Sequence, residues 1–114
     1  MSNEIRSFEP IGKDEIIKRI KAGMPISIHP SIRKTLRETS IKEVYLDKFP
    51  QDELGKELRD ISFEELFDAL NNHEDVYRVI GVNDSFVREA LFAQLSLLTK
   101  LDYDCFYELW LYRG

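Results

Sequence analysis

Cysteine occurs once in these 114 residues, at Cys105. That excludes an intrachain disulfide and points to a reducing compartment. Histidine is nearly as scarce. His29 and His73 stand 44 positions apart, and no second cysteine completes a zinc frame. The five glycines are scattered singly, so there is no P-loop, no dinucleotide fingerprint and no nucleophile elbow. Apolar runs last only a few residues, far short of the roughly 20 that span a bilayer. "MSNEIRSFEP" has neither a basic n-region nor an apolar h-region, so no signal peptide is expected and the cytoplasm is the expected location.

What is present is an ordinary globular mixture, 43% hydrophobic and 32% charged, in a length that suits one domain. The net charge is −5, unevenly spread. Residues 1–48 carry ten Lys and Arg against seven Asp and Glu, whereas residues 49–114 carry six against fourteen. Nine carboxylates crowd into residues 52–75 beside only Lys56 and Arg59. Such a balance disfavours nonspecific nucleic-acid binding and favours basic partners.

Helix punctuation is dense. Ser62 with Glu65 reads as a capping box, with Ile61 and Leu66 as its hydrophobic staple. Ser40 with Glu43 repeats the box, Asp102 sits between Leu101 and Phe106 at staple spacing, and Pro30 suits a first helical position. Gly23 with Pro25 marks a helix stop. The resulting expectation is a mainly α, single-domain bundle of about five to seven helices over 1–114, with residues 1–10 partly extended or flexible. Helices are expected near 13–22, 30–39, 41–48, 51–59, 63–71, 74–80, 85–99 and 103–112, the shortest being marginal. Gly55 weakens the one at 51–59. A short β pairing around 26–28 and 42–46 is the alternative for the "KEVYL" stretch. The αα-hairpin of 85–99 and 103–112 is expected to be the hydrophobic centre. Within 85–99, Phe86, Val87, Ala90, Leu91, Gln94, Leu97 and Leu98 follow one face, with Phe92 and Leu95 as a second stripe.

The last helix raises the functional question. Five of the chain's thirteen aromatic residues lie in "LDYDCFYELWLYRG", and they spread around the whole helix. A helix apolar on every side is either central or shared with a partner. Tyr103, Tyr107, Trp110 and Tyr112 are therefore candidate interface residues, and a homodimer is expected. The acidic stretch supplies a second candidate surface, Asp52, Glu53, Glu57, Asp60, Glu64, Glu65 and Asp68, facing a basic partner. Catalysis finds no support: Cys105 is flanked by Asp102 and Asp104, which oppose a thiolate, and reads as inert core. No metal or cofactor is expected. The leading expectation is a non-enzymatic, regulatory protein-interaction domain without a membrane partner. Two other readings compete with it. "HPSIRKTLRETSIKEVYLDKF" has a helix–turn–helix layout with Arg33, Lys34, Arg37 and Lys42 as DNA contacts. The carboxylates, in turn, suit a nucleic-acid mimic that inhibits a basic protein.

Overall fold

Ser62 Oγ accepts the Glu65 amide and Ser40 Oγ accepts that of Glu43, so both serine caps start helices where the sequence placed them, without the reciprocal glutamate bond of a full capping box. The computed structural model describes residues 11–112; the expectation for residues 1–10 lies outside the described residues. Eight helices follow in order: α1 (Lys13–Lys21), α2 (Pro30–Arg37), α3 (Ile41–Lys48), α4 (Glu53–Glu57), α5 (Phe63–Asn71), α6 (Val76–Ile80), α7 (Ser85–Thr99) and α8 (Tyr103–Leu111). Six have eight residues or more, while α4 and α6 are five-residue pieces. The mainly α bundle is as expected.

Carboxylates open four of these helices. Asp52, Asp75, Asp84 and Asp102 each accept a backbone amide from the first turn of the helix they precede. This satisfies orphan donors and places negative charge at the positive end of the macrodipole. Much of the acidic excess is therefore capping chemistry. His29 is an unforeseen cap: its Nδ1 accepts the Ser31 amide, leaving Pro30 at the first helical position.

The β alternative fails. Residues 42–46 lie inside α3, and 26–28 form no ladder. Among the described residues the one bridge joins Ser40 to Ser62. The extended link after α1 is instead held by a side chain. The Asn71 amide accepts from the Ile26 N–H at 3.2 Å and donates to the Ile26 carbonyl at 3.0 Å, standing in for a neighbouring strand. One backbone unit is thereby satisfied without a sheet.

One cluster of buried side chains runs from Ile20 in α1 to Leu109 in α8. The α7–α8 hairpin lies in it, but α5 shares the centre. Phe63, Leu66, Phe67, Ala69 and Leu70, five of its nine residues, are buried, and Phe67 meets Phe106 edge-on at 6.3 Å. The face of α7 is rotated from the expected one. Val87, Arg88, Leu91, Phe92, Leu95 and Thr99 point inward, while Phe86 and Leu97 are exposed. The stripe taken as secondary, through Phe92 and Leu95, is therefore part of the buried face.

Two glycines fit where a side chain would not. Gly81 closes α6 at φ +92, and a Cβ there would stand 2.8 Å from Arg59 Cγ. Gly55 lets α4 approach α3, since a Cβ would meet Tyr45 Cδ1 at 2.7 Å.

Candidate interaction site: an aromatic box around a buried arginine

On α8, Cys105, Phe106 and Leu109 face the core. Burial pushes the Cys105 thiol above its ordinary pKa, with the charges of Asp102 and Asp104 adding to the effect. This is an unreactive environment for a cysteine. The remaining faces hold the other aromatics. Tyr103 stacks on Tyr107 at 6.4 Å, Tyr107 meets Trp110 at 5.6 Å, and Tyr77 from α6 meets Trp110 edge-on at 6.3 Å.

The group these rings share is Arg88 of α7. Its guanidinium carbon lies 4.1 Å from the Trp110 centroid, 5.8 Å from that of Tyr77 and 5.9 Å from that of Tyr107. Its Nη1 donates to the Tyr77 hydroxyl at 2.6 Å. Arg88 is only 7% exposed, and among the described residues no carboxylate forms an ion pair with it. Ring faces replace the usual acid, each contributing about 0.5–2 kcal/mol for a desolvated cation. The field of Arg88 is felt at Tyr103, whose hydroxyl is raised by burial and by Glu89 and lowered by Arg88.

Three of the four aromatics expected at an interface, Tyr103, Tyr107 and Trp110, thus meet in one structure. Tyr112 caps the helix end and is 46% exposed. Leu111 at 51% and Tyr107 at 37% are exposed as well. Sequence reasoning missed Arg88 and Tyr77. The signal for Arg88 was present: 88, 92, 95 and 99 share the helical spacing of a buried stripe, with a cation at its head.

The acidic and basic candidate surfaces prove to be neighbours. Arg37 grips Glu64 with two bonds of 3.0 Å, and Arg33 reaches Glu64 at 3.4 Å and Asp68 at 3.1 Å while lying over the Phe67 ring. The bidentate hydrogen bonds of Arg37 hold the Glu64 carboxyl below its ordinary range. Two of the seven carboxylates and the two arginines of the helix–turn–helix reading are therefore engaged with each other, joining α2 to α5. Asp60 accepts from Ser40 Oγ, and Asp52 accepts from both the buried Tyr45 hydroxyl and the Leu54 amide. Glu53 pairs with Lys56 at 2.9 Å. Glu57 and Glu65 stand exposed, as does Lys34, and Lys42 is half-buried.

A further concavity begins at Ile11. Two adjoining grooves of about 500 and 340 Å³ share Ile11, Ile16, Lys100 and Leu101. Two of their cations are already occupied, Lys13 by Asp104 and Arg19 by Glu15. Among the described residues no group of three or more His, Cys, Asp and Glu is placed to hold a metal, and no helix is long and apolar enough to cross a membrane. Comparison with protein-family models, curated proteins and solved structures returns no match for this chain.

Proposed function

We propose that this chain is a non-enzymatic, regulatory protein-interaction domain that docks a protein partner through the face formed by α6 and α8. The observation that carries the reading is the exposure of Tyr107, Leu111 and Tyr112 along α8, with Tyr107 joined to the ring assembly behind it. Tyrosine and tryptophan combine a large apolar area with a polar tip and few rotatable bonds, the properties enriched at interface centres. Taking about 150–250 Å² for each large side chain, the three exposed residues present roughly 250 Å² of surface. A stable interface buries about 800 Å² per partner. The face therefore serves as the anchor of a larger contact, with polar residues around it supplying the rim.

The pairing of Arg33 and Arg37 with Glu64 and Asp68 weighs against the DNA-binding reading, because those cations are neutralised within the fold. The acidic-mimic reading keeps Glu57 and Glu65 as exposed carboxylates, beside the exposed Glu53 and Asp60 that Lys56 and Ser40 engage.

The test is a triple substitution, Tyr107→Ser, Leu111→Ser and Tyr112→Ser. The variant is expected to stay folded with a melting temperature lowered by the loss of the Tyr107 ring from Arg88, about 0.5–2 kcal/mol, while Leu111 and Tyr112, which are exposed, contribute little. Co-precipitation of a nuclease-resistant partner, or a dimer mass in light scattering at tens of micromolar, is expected to disappear. A variant that unfolds would make the face core, and a variant that retains every association would remove this reading.

A further inference from the structure

Arg88 has one edge that the fold does not use. A guanidinium carries five N–H donors in a rigid planar fork. Nη1 is engaged by the Tyr77 hydroxyl, Nε is buried with no hydrogen-bond partner, and Nη2 donates to no described residue. The rings of Trp110, Tyr77 and Tyr107 stabilise the positive charge through their faces but leave these donors unmade. Nε and Nη2 lie side by side, with N–H bonds running parallel. That is the arrangement which the two oxygens of a carboxylate match. Glu89 follows Arg88 directly in sequence yet makes no ion pair with it.

We propose that Arg88 is the anchor for a carboxylate on the docking partner: an Asp or Glu side chain that enters the aromatic box while apolar neighbours cover Tyr107, Leu111 and Tyr112. This rests on the reading of the α6–α8 face as the docking surface, and it gives the partner a chemistry. A partner segment of this kind carries an acid flanked by apolar or aromatic residues. Because Nε is buried, the carboxylate reaches this edge only as the exposed ring of Tyr107 and the half-buried ring of Trp110 move aside. Closing it then supplies an interaction that the free protein lacks, in a setting where water competes weakly. Specificity follows from the same geometry. An amide in place of the acid leaves one donor facing another donor, and a lysine on the partner meets a buried like charge.

Trp110 is the chain's one tryptophan and lies against Arg88, so its fluorescence reports the site directly. The full chain is titrated with benzoate, benzamide and phenyl phosphate at constant ionic strength. Trp110 emission and the Arg88 Nε–H resonance are followed together. Benzoate is expected to give saturable shifts with a midpoint of the order of millimolar, about tenfold or more tighter than benzamide. Arg88→Lys keeps the cation but not the fork and is expected to weaken benzoate about tenfold. Arg88→Met is expected to abolish the response; if it does not fold, the lysine variant decides. Equal responses to benzoate and benzamide, no response to benzoate, or tighter binding of phenyl phosphate would each overturn the carboxylate assignment. The titration needs no partner, so its failure leaves the docking face standing. Loss of that face in the serine variant, with benzoate binding intact, would separate the two the other way.

Discussion

Replacing Gly55 by alanine sets two sizeable effects against each other, and the structure says which wins. In an exposed helix the change would stabilise by about 1 kcal/mol, because glycine is the poorest helix former after proline. Here the added methyl would stand 2.7 Å from Tyr45 Cδ1, 2.9 Å from Tyr45 Cε1 and 2.9 Å from Leu46 Cδ2. All three distances are inside contact range. The leucine methyl is the end of a flexible side chain, but the tyrosine ring has little room to withdraw. It is 1% exposed, packs against Phe49 with centroids 4.9 Å apart, and its hydroxyl is bound to Asp52. Asp52 is fixed in turn as the cap of α4, through the Leu54 amide at 2.9 Å. Overpacking of this kind costs about 1–3 kcal/mol, and a pinned aromatic neighbour puts this site in the upper half of that range. The net expectation for Gly55→Ala is a loss of about 1–2 kcal/mol, or about 4–8 °C in melting temperature. Urea titration and thermal melting followed by circular dichroism measure it. Tyr45→Phe frees the ring from Asp52, so Gly55→Ala is expected to cost about 0.5–1 kcal/mol less in that background. An alanine variant as stable as the parent, or more so, would refute the close approach of α4 to α3. Equal penalties in both backgrounds would refute the role of the hydroxyl.

Two further outcomes follow from the same physics. Glu64 has a folded pKa below its unfolded value of about 4.3, so its contribution is complete above that pH and is lost as pH falls through the folded pKa; the stability gap between the parent and Glu64→Gln in urea titrations is expected to be widest near neutral pH and to narrow below about pH 4, and a gap independent of pH would remove the Arg37 pairing. His73 occupies the left-handed position of a Schellman turn, at φ 56, with its amide on the Leu70 carbonyl and that of Glu74 on the Ala69 carbonyl, and its Nδ1 is buried without a partner; His73→Gly relieves a backbone cost of about 1–2 kcal/mol and is expected to raise the melting temperature by a few degrees, whereas a lower value would show that the imidazole packs more favourably than the turn is strained.

How much of this was legible in the sequence depends on how far each feature reaches along the chain. Caps and stops are local, and Ser40, Ser62, Asp102, Pro30 and Gly23 were all readable because a cap and its amide lie within a few residues. Gly55 was readable as an anomaly but not as a contact, because the Tyr45 ring that requires it lies on another helix. The rotation of α7 was unreadable for a different reason. Its apolar residues form two overlapping stripes, and helical periodicity alone cannot choose between them. The choice depends on the helices that pack against α7, namely α8, α2 and α3, and on Arg88, a cation that simple patterning assigns to solvent.

Charge was the signal that folding rearranged most, for a physical reason. Summed along the chain, it divides into a basic first part and an acidic second part, inviting a picture of two oppositely charged surfaces. Folding lays α2 beside α5, so Arg33 and Arg37 meet Glu64 and Asp68 across separations of 27 to 35 residues. Four more carboxylates are committed to helix starts. A sequence block of like charge becomes a surface of like charge only where nothing opposite folds onto it. At Arg88 the reverse holds: a cation in an acidic region has rings around it and, among the described residues, no ion-paired acid. Linear charge density therefore says little about pairing: Glu64 and Asp68 meet arginines from the basic half, while Arg88, buried among rings, lies in the half of the chain where acids outnumber bases.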